Sequence, residues 1–214
     1  AVVQCEDERS EARYVVGQIA RSVAEGWFKG ELMKMKVEVA GEERIIDVDQ
    51  SIDAIVDMGG RLAILGSGDL ALEQAFYMAG ERHPGRVGTR IGYDEPLSHL
   101  MQGGSDAILI PSRFEPCGLT QLYGLAYGCV PIVARTGGLA DTIIDANEAG
   151  LNADVATGFQ CAPDSGIELA AAIGRAVTLY QQPEAWARMR QRGMRADFGW
   201  DRSAAKYQEL YRSV

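Results

Sequence analysis

The chain has 214 residues, of which 47% are apolar and 24% are charged, the balance of an ordinary globular protein with a sizeable core. This composition excludes wholesale disorder and a collagen-like chain. The formal net charge of −9 argues against nucleic acid as a partner, because nucleic-acid-binding domains usually present a basic face. The sequence has no apolar run long enough to cross a bilayer, so we expect no membrane association.

The N-terminal charges and the cysteines bear on the cellular compartment. Residues 6–9 are all charged and fall where the apolar segment of a secretory leader would start, so we expect no leader. The four cysteines are too far apart for a CxxC or zinc-ligand pattern, and the chain has only two histidines. We therefore expect a cytoplasmic protein with reduced thiols at Cys5, Cys117, Cys129 and Cys161.

The first fifty residues predict a helix followed by a hairpin. Apolar residues recur at helical spacing over residues 8–24. Residues 33–39 alternate between apolar and charged side chains, which is typical of a half-buried strand. A turn at residues 40–42 then leads to a returning strand at residues 44–48.

From residue 51 onward the pattern alternates between short apolar strands and longer helices. Such alternation is typical of βαβ units and of a parallel sheet. We predict an α/β fold in which residues 51–214 form a Rossmann-like parallel sheet with flanking helices, joined to a helix-and-hairpin segment over residues 1–50. The predicted strands lie at residues 61–65, 87–91, 106–110, 130–134 and 157–160, and the predicted helices at residues 70–81, 97–101, 119–128, 167–180, 183–193 and 201–214.

The loop after the 106–110 strand carries the residues with the clearest chemistry. Ligands of open parallel sheets bind beyond the carboxyl ends of the strands. Gly118, Leu119 and Thr120 would form the first turn of the next helix, where free N–H groups and the helix dipole favour a phosphate. Glu115, just before that turn, could bind a sugar hydroxyl or stabilise positive charge at an anomeric carbon. It could equally be a negative charge that complements the helix dipole.

Two further loops carry glycine-rich turns. Residues 66–69, GSGD, form either a tight turn or a weak phosphate loop, because they lack the later glycine and the lysine of the known phosphate motifs. After the 130–134 strand, Thr136, Gly137 and Gly138 would let the backbone approach a diphosphate or a sugar closely.

Two of these segments resemble the motifs of a known enzyme family. Residues 115–121 read EPCGLTQ and residues 135–139 read RTGGL. Together they resemble the donor half of bacterial glycogen and starch synthases, retaining glucosyltransferases that use ADP-glucose and have the two-domain GT-B fold. The similarity extends over about residues 52–214, so the chain is expected to form half of a GT-B fold.

The resemblance implies roles for individual residues. Glu115 corresponds to the first carboxylate of a Glu-x7-Glu element near the donor glucose, and Tyr123 takes the place of the second, as is usual in this family. Tyr93 corresponds to the aromatic residue that stacks on adenine, and Cys117 is expected close to the donor sugar. The remaining implied contacts are the diphosphate-binding helix start at Gly118, Leu119 and Thr120, and a second phosphate and sugar contact at Thr136, Gly137 and Gly138. The resemblance implies no metal and no cofactor besides the donor, ADP-glucose.

Two family features have no counterpart in the sequence. The donor domain of the family opens with a strand and an Arg-x4-Lys-Gly element whose cations hold the diphosphate, and the nearest fragment here is residues 28–30, FKG. The acceptor-side domain is also missing, so an α-1,4-glucan is an expected partner only when that domain is supplied. We therefore expect the chain alone to bind ADP weakly, to turn over ADP-glucose negligibly and to self-associate through its tail helices.

Two alternatives stay open at this point. The chain could be a non-catalytic nucleotide-sugar-binding or interaction module in which residues 1–50 cover the site, and burial of Tyr93 and Glu115 would favour that interpretation. Alternatively, the donor could be UDP-glucose, which competition between the nucleotides would reveal.

Overall fold

The computed structural model describes residues 14–18, 35–39, 42–46 and 48–213, with gaps at 69, 114 and 164. The described strands are β1 (Tyr14–Gln18), β2 (Met35–Val39), β3 (Glu42–Ile46), β4 (Arg61–Gly66), β5 (Val87–Ile91), β6 (Ala107–Ile110), β7 (Val130–Ala134) and β8 (Phe159–Cys161). The described helices are α1 (Val48–Asp57), α2 (Leu70–Arg82), α3 (Glu95–Gly103), α4 (Thr120–Tyr127), α5 (Gly137–Thr142), α6 (Glu148–Asn152), α7 (Gly166–Tyr180), α8 (Pro183–Arg195) and α9 (Trp200–Arg212). Within these residues, no helix is both long and apolar enough to cross a membrane.

The main sheet confirms the predicted α/β class. Its six described strands lie in the order β5-β4-β1-β6-β7-β8, and each neighbouring pair is parallel. The strand order reverses between β1 and β6, because β4 and β5 extend to one side and β7 and β8 to the other. In open α/β sheets this switch point forms the crevice in which ligands bind. The loop after β6 therefore lies where the sheet itself predicts a site.

Strand β1 corrects one prediction. Helical spacing predicts a helix over residues 8–24, but Tyr14–Gln18 pairs with β4 on one side and β6 on the other. Pairing on both sides satisfies the backbone N–H and C=O groups of a central strand, which outweighs a local helical pattern. The other residues of that range lie outside the described part of the chain. The main sheet thus takes one strand from the first fifty residues, and a domain division near residue 50 stays a prediction.

The predicted hairpin is confirmed, with strand bounds that differ by two residues. Strands β2 and β3 pair antiparallel, with Val39 opposite Glu42, so the loop between them is two residues long. The returning strand starts two residues before Arg44, and Val48 already begins α1. Sequence reasoning left α1, α5 and α6 unassigned. The other predicted strands and helices are present, with ends that differ by a few residues.

The core lies on both faces of the sheet. All four residues of β6 are buried, and they alternate between two apolar clusters. Ala107 and Leu109 face the cluster that includes α1, α7 and α8, whereas Ile108 and Ile110 face the cluster that includes α4 and α5. This period-two division is expected of a strand covered by helices on both sides. The loop after β6 therefore starts from a strand that is packed on both faces.

The two tail helices differ in burial. Helix α8 buries Trp186, whose ring lies 6.4 Å from that of Phe159 and 5.1 Å from that of Tyr180. Helix α9 instead exposes Trp200 and Tyr211 almost fully to solvent. The expected apolar exposure of the tail is therefore found in α9, and self-association through it stays a prediction.

Candidate functional site

The turn from Glu115 to Gly118 connects β6 to α4 at the switch point. Gly118 has a φ of +65°, a left-handed conformation that glycine adopts without strain. This geometry turns the Gly118 N–H back toward the Glu115 carboxylate, and the nitrogen lies 3.1 Å from Oε1. The contact supports the dipole-complementing interpretation of Glu115, because the carboxylate lies just ahead of the helix N-terminus. It also fixes the half-buried carboxylate in one orientation.

The turn that carries Gly137 and Gly138 packs against the first turn. The Gly138 N–H donates to the Glu115 carbonyl oxygen over 3.1 Å. A Cβ atom at Gly137 would overlap that same oxygen, and one at Gly138 would overlap the carbonyl oxygen of Cys117. The sequence predicts that this glycine pair permits close approach to a ligand. In the structure the close approach is made to the neighbouring loop, so the glycines join the two turns into one unit.

Helix α4 begins at Thr120, one residue later than predicted. Gly118 and Leu119 therefore precede the helix, and Leu119 is its N-cap residue without a side-chain hydrogen bond. The first N–H groups of a helix have no partner within it. Leu119 is exposed and Thr120 half-buried, so this end of the helix is open to solvent and provides N–H donors with a positive dipole end.

Tyr93 lies at the other side of the crevice. It follows β5, three strands away from β6 in the sheet, which at the usual strand spacing is about 14 Å. Its side chain is 84% exposed, and its hydroxyl donates to the Glu95 carboxylate over 2.9 Å. Gly92, just before it, donates its N–H to the Gly66 carbonyl and so holds the end of β5 against the end of β4. Tyr93 thus presents a ring to solvent from a fixed backbone.

The remaining predicted residues lie around these turns. Tyr123 is partly exposed on α4, and its ring lies 5.6 Å from that of His99 on α3. His99 also forms a hydrogen bond with Tyr127, in which Nδ1 of the imidazole lies 3.1 Å from the tyrosine hydroxyl oxygen. Thr136 is the half-buried N-cap residue of α5, with extended backbone. The structure therefore brings Glu115, Cys117, Gly118, Gly137 and Gly138 into one cluster and keeps Tyr93 at a distance.

The cysteines differ sharply in their surroundings. Cys117 is an exposed free thiol on the first turn. Burial raises the pKa of Cys129 to about 12 and that of Cys161 to about 11. Cys5 lies outside the described residues. Among those described, no three side chains of His, Cys, Asp or Glu are grouped to hold a metal ion.

Sequence reasoning missed Gln121. It is fully buried in the first turn of α4, although glutamine is usually exposed. Its amide nitrogen lies within hydrogen-bond distance of the Cys117 and Gly118 carbonyl oxygens, and these contacts offset part of the cost of burying the amide. The sequence does contain a sign of this burial, since Gln121 is a polar residue four positions before the buried Leu125 and therefore on the same face of α4.

Comparison with known proteins identifies the family. Residues 47–193 match the family model described as glycosyl transferases group 1. The glycogen synthase of Novosphingobium aromaticivorans is 63% identical over 165 residues, which are 77% of this chain and 34% of the relative. The glycogen synthase of Mesorhizobium japonicum is 66% identical over 161 residues, which are 75% and 34% of the two chains. The chain belongs to the group 1 glycosyltransferases, and it spans about a third of the length of these relatives.

A solved structure agrees with this assignment. The catalytic domain of starch synthase IV from Arabidopsis thaliana, bound to ADP and acarbose, superposes with a TM-score of 0.72 at 27% identity. The match covers 97% of this chain and 39% of that domain. The resemblance inferred from EPCGLTQ and RTGGL is therefore confirmed, as is the Rossmann-like half of a GT-B fold. The roles of the individual site residues stay predictions.

Proposed function

We propose that this chain supplies the donor-nucleotide half of an ADP-glucose-dependent glucan synthase. The reaction is transfer of glucose from ADP-glucose to the non-reducing end of an α-1,4-glucan, with retention of configuration at the anomeric carbon. The observation that carries the proposal is the turn at Glu115–Gly118, which opens α4 at the switch point of the sheet. The identity to glycogen synthases, 63% over 165 residues, supports the same assignment.

The diphosphate of the donor is assigned to the start of α4. Leu119 has no side-chain hydrogen bond to the first turn, which leaves N–H donors for an anion. When the glucosyl group leaves, negative charge grows on the diphosphate, and the positive helix end stabilises it there. Thr120, the first residue of the helix, adds a hydroxyl group at the same place.

The adenine ring is assigned to Tyr93. Its exposed ring offers a flat apolar surface, and aromatic rings stack on nucleobases favourably. The sheet separates Tyr93 from the start of α4 by three strand spacings, about 14 Å. An extended nucleoside diphosphate can bridge such a crevice with its base at one end and its phosphates at the other.

Glu115 is assigned to the donor sugar. Its carboxylate is half-buried and held by the Gly118 N–H, so it is oriented before the donor binds. A carboxylate near the anomeric carbon stabilises the positive charge that develops as the bond to the diphosphate breaks. Cys117, exposed beside it, is assigned to the same sugar-facing side of the turn.

A polypeptide of these 214 residues alone is proposed to bind the donor nucleotide without rapid turnover. In the family that it resembles, transfer takes place between two domains, and orienting both substrates contributes several kcal/mol to lowering the barrier. The missing Arg-x4-Lys-Gly element further removes cations that would offset the charge on the leaving diphosphate. The α-1,4-glucan is accordingly a partner only when an acceptor domain is present.

The alternative, a non-catalytic module whose site is covered, predicts that Tyr93 and Glu115 are buried. Tyr93 is 84% exposed and Cys117 is exposed as well, which favours a site open to a nucleotide. Glu115 is half-buried, and its carboxylate accepts the Gly118 N–H.

Calorimetric titration tests the proposal. We expect ADP to bind the purified chain more tightly than UDP, and Tyr93→Ala to weaken ADP binding about tenfold through loss of base stacking. Tyr211→Ala is the matched control, because Tyr211 is also highly exposed but lies on α9. The proposal is contradicted if ADP does not bind, or if both substitutions have the same effect.

A further inference from the structure

A chain of hydrogen bonds encloses the turn at Glu115. The Glu115 carboxylate accepts the Gly118 N–H, and the Glu115 carbonyl accepts the Gly138 N–H, both over 3.1 Å. The Gly138 carbonyl in turn accepts the hydroxyl of Thr142 over 2.5 Å. Gly138 therefore uses its N–H group to bind the turn at Glu115 and its carbonyl group to bind Thr142, at the end of α5.

Gln121 closes this chain from the α4 side. Its Nε2 atom lies 2.9 Å from the Gly118 carbonyl oxygen and 3.3 Å from that of Cys117. The same nitrogen lies 3.1 Å from the Thr142 hydroxyl oxygen. Because that hydroxyl donates to Gly138, its oxygen accepts from Gln121, and the direction of every bond is defined. The amide nitrogen carries two hydrogens for these three acceptors, so one hydrogen is shared, and the one side chain contacts residues of both loops.

The burial of Gln121 makes these contacts costly to lose. The side chain is fully buried, and its Oε1 atom has no hydrogen-bond partner among the described residues. An amide with one unsatisfied group stays buried only if its other bonds compensate. Those bonds run to the carbonyl groups of Cys117 and Gly118 and to Thr142, so the side chain serves the turn and not the helix that carries it.

We propose that Gln121 and Thr142 form a positioning pair for the diphosphate of the donor. The inference rests on the proposed function. Through Gly118 the pair sets where the first N–H groups of α4 point, and through Gly138 it sets the distance between the two turns. Neither side chain needs to touch the nucleotide. The pair acts by fixing the backbone groups that do, and by fixing Glu115 between them.

If Gln121 and Thr142 merely stabilised the fold, their substitution would have the same effect on nucleotide binding as the loss of similar hydrogen bonds elsewhere on α5. Gln160 offers a matched control, because its amide donates to the carbonyl groups of Ala140 and Ile143 at the other end of α5. Replacing Gln160 by Leu removes comparable bonds from the same helix without reaching the turn at Glu115. If Gln121 and Thr142 only stabilise the fold, their variants should behave like Gln160→Leu.

The test uses two readouts on the 214-residue chain, with Thr142→Val and Gln121→Leu as variants and Thr142→Ser as rescue. The first readout is amide exchange of Gly138 measured by NMR. The second is the ratio of AMP to ADP dissociation constants, which isolates the contribution of the second phosphate. Valine matches the shape of threonine and removes only the hydroxyl, whereas serine retains it.

We expect Thr142→Val and Gln121→Leu to speed exchange at Gly138 and to lower the AMP-to-ADP ratio about tenfold, the size of one buried hydrogen bond. Thr142→Ser should restore both readouts, and Gln160→Leu should change neither. Unchanged exchange in Thr142→Val, or an equal ratio in Thr142→Val and Gln160→Leu, would overturn the inference. Failure of the unmodified chain to bind ADP would instead contradict the proposed function, and the exchange readout would still decide whether the pair holds the turn.

Discussion

Gly138 lies against the carbonyl group of Cys117 so closely that a Cβ atom at this position would overlap the oxygen. Gly137 stands in the same relation to the Glu115 carbonyl, with a φ of +44°. Two separate loops, one after β6 and one after β7, thus meet backbone to backbone. The glycine pair is required by this contact between loops, whether or not a ligand is bound.

Gly138→Ala is expected to lower the free energy of unfolding by about 2 kcal/mol or more, because the methyl group meets a fixed carbonyl and the backbone must shift. Gly174→Ala is the control, since nothing lies within 4 Å of a Cβ atom at that position in α7. It should raise stability by up to about 1 kcal/mol through helix propensity. Urea denaturation of the three proteins measures both changes. Equal effects of the two substitutions would show that the loops do not form the close contact described.

Glu115→Gln should leave the fold intact and slightly strengthen ADP binding. The carboxamide oxygen can still accept the Gly118 N–H, so only the favourable interaction of the charge with the α4 dipole is lost, and the free energy of unfolding should fall by about 0.5 kcal/mol. Removing a negative charge near the diphosphate site should tighten ADP binding about threefold, the effect of a repulsion of under 1 kcal/mol at a partly solvated position. Calorimetry compares the variant with the unmodified chain. Weakening as large as that caused by Tyr93→Ala would place the carboxylate in direct contact with a donor group of the nucleotide.

Thiol labelling should distinguish the cysteines by their pKa values and exposure. At pH 8 the raised pKa of Cys129, about 12, and of Cys161, about 11, leave almost no thiolate at either position. Cys117 is exposed and should react with iodoacetamide at least tenfold faster than either. Peptide mass spectrometry of the native protein measures the rates, and ADP should slow labelling of Cys117. Faster labelling of Cys129 than of Cys117 would contradict the packing of the β6–β7 region.

Arg175 is expected to contribute more stability than any exposed ion pair. Its guanidinium donates to both carboxylate oxygens of Asp145 and to the carbonyl groups of Ala146 and Gln160, and it lies 5.5 Å above the centre of the Phe159 ring. Arg175→Met should lower the free energy of unfolding by about 2 kcal/mol, because Asp145 and two carbonyl groups lose their donors at a site where the arginine side chain is 38% exposed and water replaces part of the lost bonds.

The matched control for that substitution is Arg90→Met. Arg90, on β5, is 63% exposed and pairs over 3.2 Å with Asp94, the N-cap residue of α3. An exposed pair of this kind contributes less than about 0.5 kcal/mol. Thermal unfolding of both variants tests the contrast, and similar losses of stability would argue that the Arg175 network is as loosely held as a surface pair.

The comparison of sequence with structure shows which features local patterns determine. Strands β4 to β7 could be predicted because each is a short apolar run bounded by turn residues, and burial on both faces requires such a run. Strand β1 could not, because its assignment depends on pairing with Arg61–Gly66 and Ala107–Ile110, which are distant in sequence. Tertiary pairing overrides a local helical pattern in such a case.

The candidate site shows the same division. Glu115 and Gly118 could be singled out because a carboxylate and a glycine stand just ahead of a predicted helix. Helix α5 was missed because Gly137 and Gly138 are typical of a turn, and only their contact with the other loop explains a helix that begins with two glycines. Gln121 was missed because its role depends on Thr142, 21 residues further along the chain.

The most direct test of the central claim is an NMR titration of the 15N-labelled chain with ADP. If the diphosphate binds at the start of α4, the largest shift changes should fall on the amides of Gly118, Leu119 and Thr120, with a second group around Tyr93. Changes confined to α9, or none at saturating ADP, would contradict the assignment of the switch-point crevice as the donor-nucleotide site.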